Sequence, residues 1–370
     1  MENKIAIIYR DELKEYDFGP GHPFRGDRFQ VFPKFLDQRV KPDSYYQILK
    51  AEAATDADLK LICQPDYINF AKEYFHAANI GREDDSQFFQ YFSLDDHPIG
   101  RPGNVEEAAR LVVGQAKLAV DLVQSGRFKQ AFSVGGGLHH AKRNFGEGFC
   151  IYNDVAFAGI YLEKKYQLDR ILILDTDAHA GNGTAEYFDA DPHVLFIDIH
   201  QDPRTVYPGT GFANEIGKDE GKGKTVNIPL PVNAGYDSYK LIFEELIEPL
   251  TAEFRPQIII RNGGSDPHFA DELTNLGLSA AGFHLIGQKV KKMSSVCDGK
   301  LIDLIASGYN TRVLPHSWLA LLSGLAGWDI PVEEPIPVPA MYRSDARLPQ
   351  TQQVVNEVKS YLKDYWHCFR

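Results

Sequence analysis

The feature that most constrains this chain is a series of short runs that are apolar at nearly every position. They span residues 5–9, 131–134, 171–175, 194–199, 225–230, 258–260 and 301–305. A strand with one face in water alternates apolar and polar residues, whereas a strand covered on both faces does not. These runs therefore predict a buried, mainly parallel sheet, and the helical stretches between them predict a layered α/β fold. Asn104 followed by Glu107 reads as a capping-box start. Ala108, Val112, Ala116, Ala119, Val120 and Val123 then line one helix face that ends before Gly126. Asp237 opens a second helix, which Pro249 must kink or stop. Val354, Val355, Val358, Tyr361, Leu362 and Tyr365 make the apolar face of a last one, and the apolar stretch 318–328 reads as a buried helix. With no internal repeat and no Pro/Ser-rich linker, one domain over residues 1–370 is expected. The long polar connections 18–28 and 93–103 are of the kind that often carries function.

Composition bounds the rest. The chain has 39 Lys plus Arg against 51 Asp plus Glu, a formal charge of −12. That weighs against a nucleic-acid binder, whose affinity comes from cations on phosphates, and suits a basic partner or substrate. The four cysteines form no C-x-x-C pair, so a reducing compartment is the default. Met1-Glu2-Asn3-Lys4 leads directly into an apolar run without a signal-peptide pattern, and no apolar run approaches the roughly 20 residues of a membrane span. A cytoplasmic protein without a membrane partner is expected; a homo-oligomer is left open.

Ligands of open α/β sheets gather beyond the carboxyl ends of strands. The run 131–134 is followed by three glycines, Leu138, His139 and His140. Asp175, Thr176, Asp177, Ala178 and His179 close the run 171–175, Gly263, Gly264, Ser265 and Asp266 follow 258–260, and Ser307, Gly308 and Tyr309 follow 301–305. Asp177 and His179 are two apart at a strand end, and Asp266 can join them from another. Two carboxylates and one imidazole leave a fourth position open, which suits a catalytic zinc. Solvation of a loop or capping of the next helix is the alternative for the D-x-D-x-H stretch alone; the second acidic strand end at Asp266 favours metal. A lone histidine is usually structural, but His139 and His140 together after a glycine run point to proton transfer near neutral pH. Asp175 and Asn182 are candidate acceptors for their second ring nitrogens, and the phenol of Tyr309 is a candidate oxyanion donor.

On these residues the chain resembles the zinc-dependent histone deacetylases and their prokaryotic relatives, closest in flavour to acetoin-utilisation-type deacetylases. The likeness runs in order through Phe18 to Pro23, Gly136 to Lys142, Gly148 to Asp154, Leu174 to Gly183, Tyr207 to Gly211, Asn227 to Leu230, Gly264 to Asp266 and Ser307 to Tyr309. It implies a three-layer arginase/deacetylase fold with a central, mainly parallel sheet of about eight strands. It implies Asp177, His179 and Asp266 as ligands of one zinc ion and His139 and His140 as the tandem acid/base pair. Asp175 and Asn182 would partner the two imidazoles, and Tyr309 would polarise the carbonyl. Phe149, Tyr207 and Leu273 would line the acyl-lysine tunnel, with Asp96 as the rim carboxylate that holds the substrate backbone. The likeness also implies a potassium ion near Asp175, Asp177 and Asp198. Departures are Ala180 after the metal histidine, where His or Gln is common, Asn182 where some classes have Asp, Ser307 in place of a Gly, and Tyr207 in place of a common Phe.

The implied reaction is hydrolysis of an acetyl or other short-acyl amide on a protein lysine, yielding the free amine and a short carboxylate. A deacetylase of small acylated amines such as acetylpolyamines fits the acidic balance equally. A two-manganese ureohydrolase would want more Asp at strand ends and no His-His-Tyr set. A weakly active acyl-lysine-binding metalloprotein has only the departures at Ser307 and Ala180 in its favour.

Overall fold

The computed structural model describes residues 4–41 and 45–370. The expected start of the chain at Met1 to Asn3 lies outside the described residues. Eight strands form one sheet: β1 Ile5–Ile8, β2 Tyr46–Leu49, β3 Gln130–Val134, β4 Ile171–Asp175, β5 Val194–Gln201, β6 Thr225–Leu230, β7 Ile258–Asn262 and β8 Leu301–Ile305. Their order is β2-β1-β3-β8-β7-β4-β5-β6. Registers are parallel, with Asp175 of β4 opposite Asp198 of β5 and Asn262 of β7. Strands β1, β4, β5, β7 and β8 are buried at every position. Each fully buried Ile, Leu or Val there contributes roughly 1.5–3 kcal/mol.

Strand β2 is the one element of the sheet without a run to announce it. It sits at the sheet edge and only Tyr46 is buried, while Ile48 is 46% exposed. An edge strand in contact with water on one side carries no continuous apolar signal.

The chain divides into two compact units, Met1–Gln167 with Leu304–Ala306, and Leu168–Asp303 with Ser307–Arg370. In the first, helix α1 (Val105–Gln124) buries the six predicted residues of its apolar face. The buried amide of Gln115 donates to the carbonyl of Val134 at 2.8 Å, which ties α1 to the end of β3. The expected capping box does not form: the Asn104 side chain makes no cap, and its backbone N–H is turned to the Glu15 carboxylate, 3.4 Å away. Helix α2 (Asp154–Tyr166) has a true cap instead, the Asn153 side chain accepting from the Ala156 N–H at 2.8 Å.

In the second unit α3 (Asn182–Phe188) follows β4. Helix α4 (Tyr236–Ile242) passes through a π-helical turn, Phe243–Ile247, into α5 (Glu248–Phe254), with Pro249 in the first turn of α5. The proline thus does not end the segment, since it falls in the first turn after the π-helical stretch. Helices α6 (Ala280–Ser294), α7 (Leu314–Ala326) and α8 (Leu348–Leu362) complete the unit. Helix α8 buries Val355, Val358 and Leu362, but Tyr361 is exposed and Tyr365 lies past the helix end, so its apolar face is narrower and shorter than expected. None of the described helices is long and apolar enough to cross a membrane.

Candidate active site

In the first unit, β3 runs into the loop that carries the adjacent histidines. Both are buried, and their Nε2 atoms lie 3.1 Å apart. At that separation one ring nitrogen donates and the other accepts, the roles depending on the tautomers. The loop is gripped through its backbone. The Asp154 carboxylate accepts the N–H groups of Gly137, at 2.9 Å, and Leu138, at 2.8 Å. The Asn153 amide donates to the carbonyls of His139 and Ala141, both at 3.1 Å. Burial pushes the Asp154 carboxyl up to about 7, against the pull of those N–H groups toward the anion. Asn153 and Asp154 close the Gly148–Asp154 stretch of the likeness but carry no assigned role there; a polar pair at a helix start reads as a cap, and only tertiary contacts reveal the second duty.

Phe149 has a left-handed backbone (φ 66°), and its carbonyl accepts from the buried Tyr16 hydroxyl at 2.8 Å. Its ring packs edge-on against His22, 4.9 Å between centroids, and His22 Nε2 donates to the Asp95 carbonyl at 2.8 Å. Asp96 is fully buried and is held by the Ser93 hydroxyl at 2.9 Å and by the Phe149 backbone amide. A carboxylate that grips substrate backbone at a rim must reach solvent, so the expected role of Asp96 does not match its place. The short motif could not say which of Asp95 and Asp96 turns outward. Asp95 is the half-buried one, and it accepts from the Gly148 N–H at 2.9 Å.

In the second unit Asp177, His179 and Asp266 converge. One ligand atom from each lies within 4.8 Å of the others, and all three residues are buried. The Asp177 carboxylate accepts the His179 N–H at 2.8 Å, the local Asx turn that D-x-H spacing allows. His179 Nδ1 is 3.1 Å from Asp177 Oδ1 and 3.1 Å from Asp266 Oδ2. Burial pulls the imidazole down, but the hydrogen bonds and charges of both carboxylates outweigh it and raise it to about 10. Burial and the charge of Asp177 push Asp266 up to about 8. His179 and Asp266 are thus both pushed toward their protonated forms, protons that a divalent cation would replace, and the O, O, N donor set suits zinc.

The surroundings hold this group. Asp175 accepts from the Asp177 N–H at 3.1 Å and from the Asn262 amide at 2.8 Å. Below them, the buried Arg261 pairs with Asp303 and donates to Thr176 Oγ1 at 3.0 Å. Asp198 accepts from the Gly181 N–H at 2.8 Å and lies 2.9 Å from His200 Nδ1. Asn182 opens α3 and is half-buried. Ala180 packs beneath Gly211, in the loop that carries Tyr207. Tyr207 and Leu273 are each 40% exposed. The Tyr309 ring stands edge-on to His179, 6.4 Å between centroids. Its backbone N–H donates to Asp271 at 2.8 Å. Gly308 before it has φ 123° and lies against the Ser265 hydroxyl, where no Cβ would fit.

The parallel sheet thus carries a buried acid–imidazole group at its strand ends. The histone deacetylase domain profile matches residues 22–325, and the chain belongs to the histone deacetylase family. It is similar to the acetoin utilization protein AcuC of Staphylococcus aureus (strain COL), with 37% identity over 320 residues, 85% of this chain and 80% of that protein. It is 32% identical over 373 residues to a probable deacetylase of Archaeoglobus fulgidus, covering 99% of each. The crystal structure of the HDA15 HD domain superposes with a TM-score of 0.83 over 99% of this chain and 97% of that one, at 24% identity, a likeness of fold. The expected arginase/deacetylase fold class and acetoin-utilisation flavour both hold.

Proposed function

We propose that the chain is a zinc-dependent amidohydrolase that removes acetyl or other short acyl groups from lysine side chains of proteins. The observation that carries this reading is the buried Asp177–His179–Asp266 group with the Tyr309 ring beside it. A zinc ion held by these three residues would supply Lewis acidity toward the amide carbonyl and a water acidic enough to attack near neutral pH. The His139/His140 pair takes a proton from the attacking water at one Nε2 and returns one to the leaving amine, steps that together contribute roughly 10²–10⁴-fold. The Tyr309 hydroxyl donates to the oxygen that gains charge. Phe149, Tyr207 and Leu273 offer apolar surface to the acyl-lysine stem. The net charge of −12 favours cationic substrates in general.

The test is a deacylation assay across acetyl-lysine peptides, longer acyl-lysine peptides and acetylated polyamines, with and without a chelator. Chelator-sensitive release of acetate from peptides is the expected result. Turnover confined to acetylated polyamines would move the substrate to small amines, and turnover indifferent to the chelator would overturn the metal reading.

A further inference from the structure

One hydroxyl outside the ligand set reaches a ligand directly. Ser307 follows β8, and its Oγ donates to Asp266 Oδ1 at 2.6 Å. The other oxygen of that carboxylate, Oδ2, accepts the Ala178 N–H at 3.0 Å and faces His179 Nδ1 at 3.1 Å. The two oxygens therefore have separate duties: Oδ1 is anchored, and Oδ2 is kept toward the ligand group. At 2.6 Å this is a short hydroxyl–carboxyl hydrogen bond.

Ser307 is itself held in place. Its carbonyl accepts the Ser265 N–H at 2.9 Å and the indole N–H of the fully buried Trp318 at 3.2 Å. Gly264 packs against its carbonyl and its hydroxyl so closely that no Cβ would fit there. The hydroxyl thus comes from a fixed backbone, and the rotation of the Asp266 carboxylate is set by it.

We propose that Ser307 is a positioning residue that sets the metal affinity of the Asp177–His179–Asp266 group by fixing the Asp266 carboxylate. This rests on the metal reading given above. Partners that orient a ligand from outside the coordination sphere typically change metal affinity 10–100-fold when removed.

The experiment is a chelator-competed zinc titration of metal-free wild-type protein, Ser307→Ala and Ser307→Gly at one pH. Thermal unfolding of each is recorded with and without zinc. Both variants lack the hydroxyl, and glycine cannot clash, so at least one reads the bond if the other fails to fold. Zinc affinity is expected to fall about 10–100-fold in the variants. The metal-free proteins should unfold at nearly the same temperature, and the upward shift caused by zinc should shrink. Variant affinities within about twofold of wild type would overturn the inference while leaving the metal reading intact, since the bond would then be structural only. A wild-type protein that binds no zinc would overturn both.

Discussion

The histidine loop of the first unit and the acidic group of the second both follow strands, yet they are fixed in opposite ways. In the histidine loop, side chains hold the backbone: Asp154 takes the N–H groups of Gly137 and Leu138, and Asn153 takes the carbonyls of His139 and Ala141. In the acidic group, backbone amides and a hydroxyl hold side chains: His179 N–H on Asp177, and Ala178 N–H and Ser307 on Asp266. The contrast follows from the chemistry. If the histidine pair carries protons as proposed, contacts to the loop backbone fix it without occupying a ring nitrogen themselves. A metal ligand is useful only if its lone pairs point one way, so the carboxylate itself is gripped.

The comparison is broken most directly at the histidine pair. His140→Ala should lower kcat/KM for acetyl-lysine peptide by about 10²–10⁴-fold with zinc content unchanged by metal analysis. Loss of zinc in that variant would mean that the two sites are not separately built. Asp154→Asn sharpens it further. The amide keeps one acceptor oxygen for two N–H groups, so the loop loosens while the acidic group does not. A fall of about 10²-fold in activity is expected, with zinc retained.

The same substitution has a smaller effect on the pH dependence of stability. Asp154 has a folded pKa of about 7 against an ordinary value of 3.8. The folded state therefore holds this proton through a window in which the unfolded chain has lost it, and stability falls as pH rises from about 4 to 7. Denaturant unfolding across that window should show a shallower fall in Asp154→Asn than in wild type. Parallel curves would show that Asp154 is not a proton holder in the folded protein.

Much of this was legible in the chain. Seven of the strands were marked by apolar runs because burial on both faces leaves no polar position to hide them. The acidic residues, the histidine pair and the tyrosine stood out because glycines and chemistry-bearing side chains sit together at strand ends. What was illegible depends on direction in space. Strand β2 is half in water, Tyr361 lies on the solvent side of α8, Tyr365 falls past the helix end, and Asp96 points inward where Asp95 does not. Asn153, Asp154 and Ser307 act through hydrogen bonds to distant residues, and no periodicity or spacing encodes such partners. Asn104 and Glu107 had the spacing of a capping box, but the competing carboxylate of Glu15 took the N–H that the box needs.

The central claim is that one divalent ion sits among Asp177, His179 and Asp266. Metal analysis of wild-type protein and His179→Ala, each loaded with zinc and dialysed, tests it most directly. The account predicts about one zinc per wild-type chain and almost none in the variant, as expected when a buried three-residue ligand set loses a member. Equal zinc in the two proteins would contradict it.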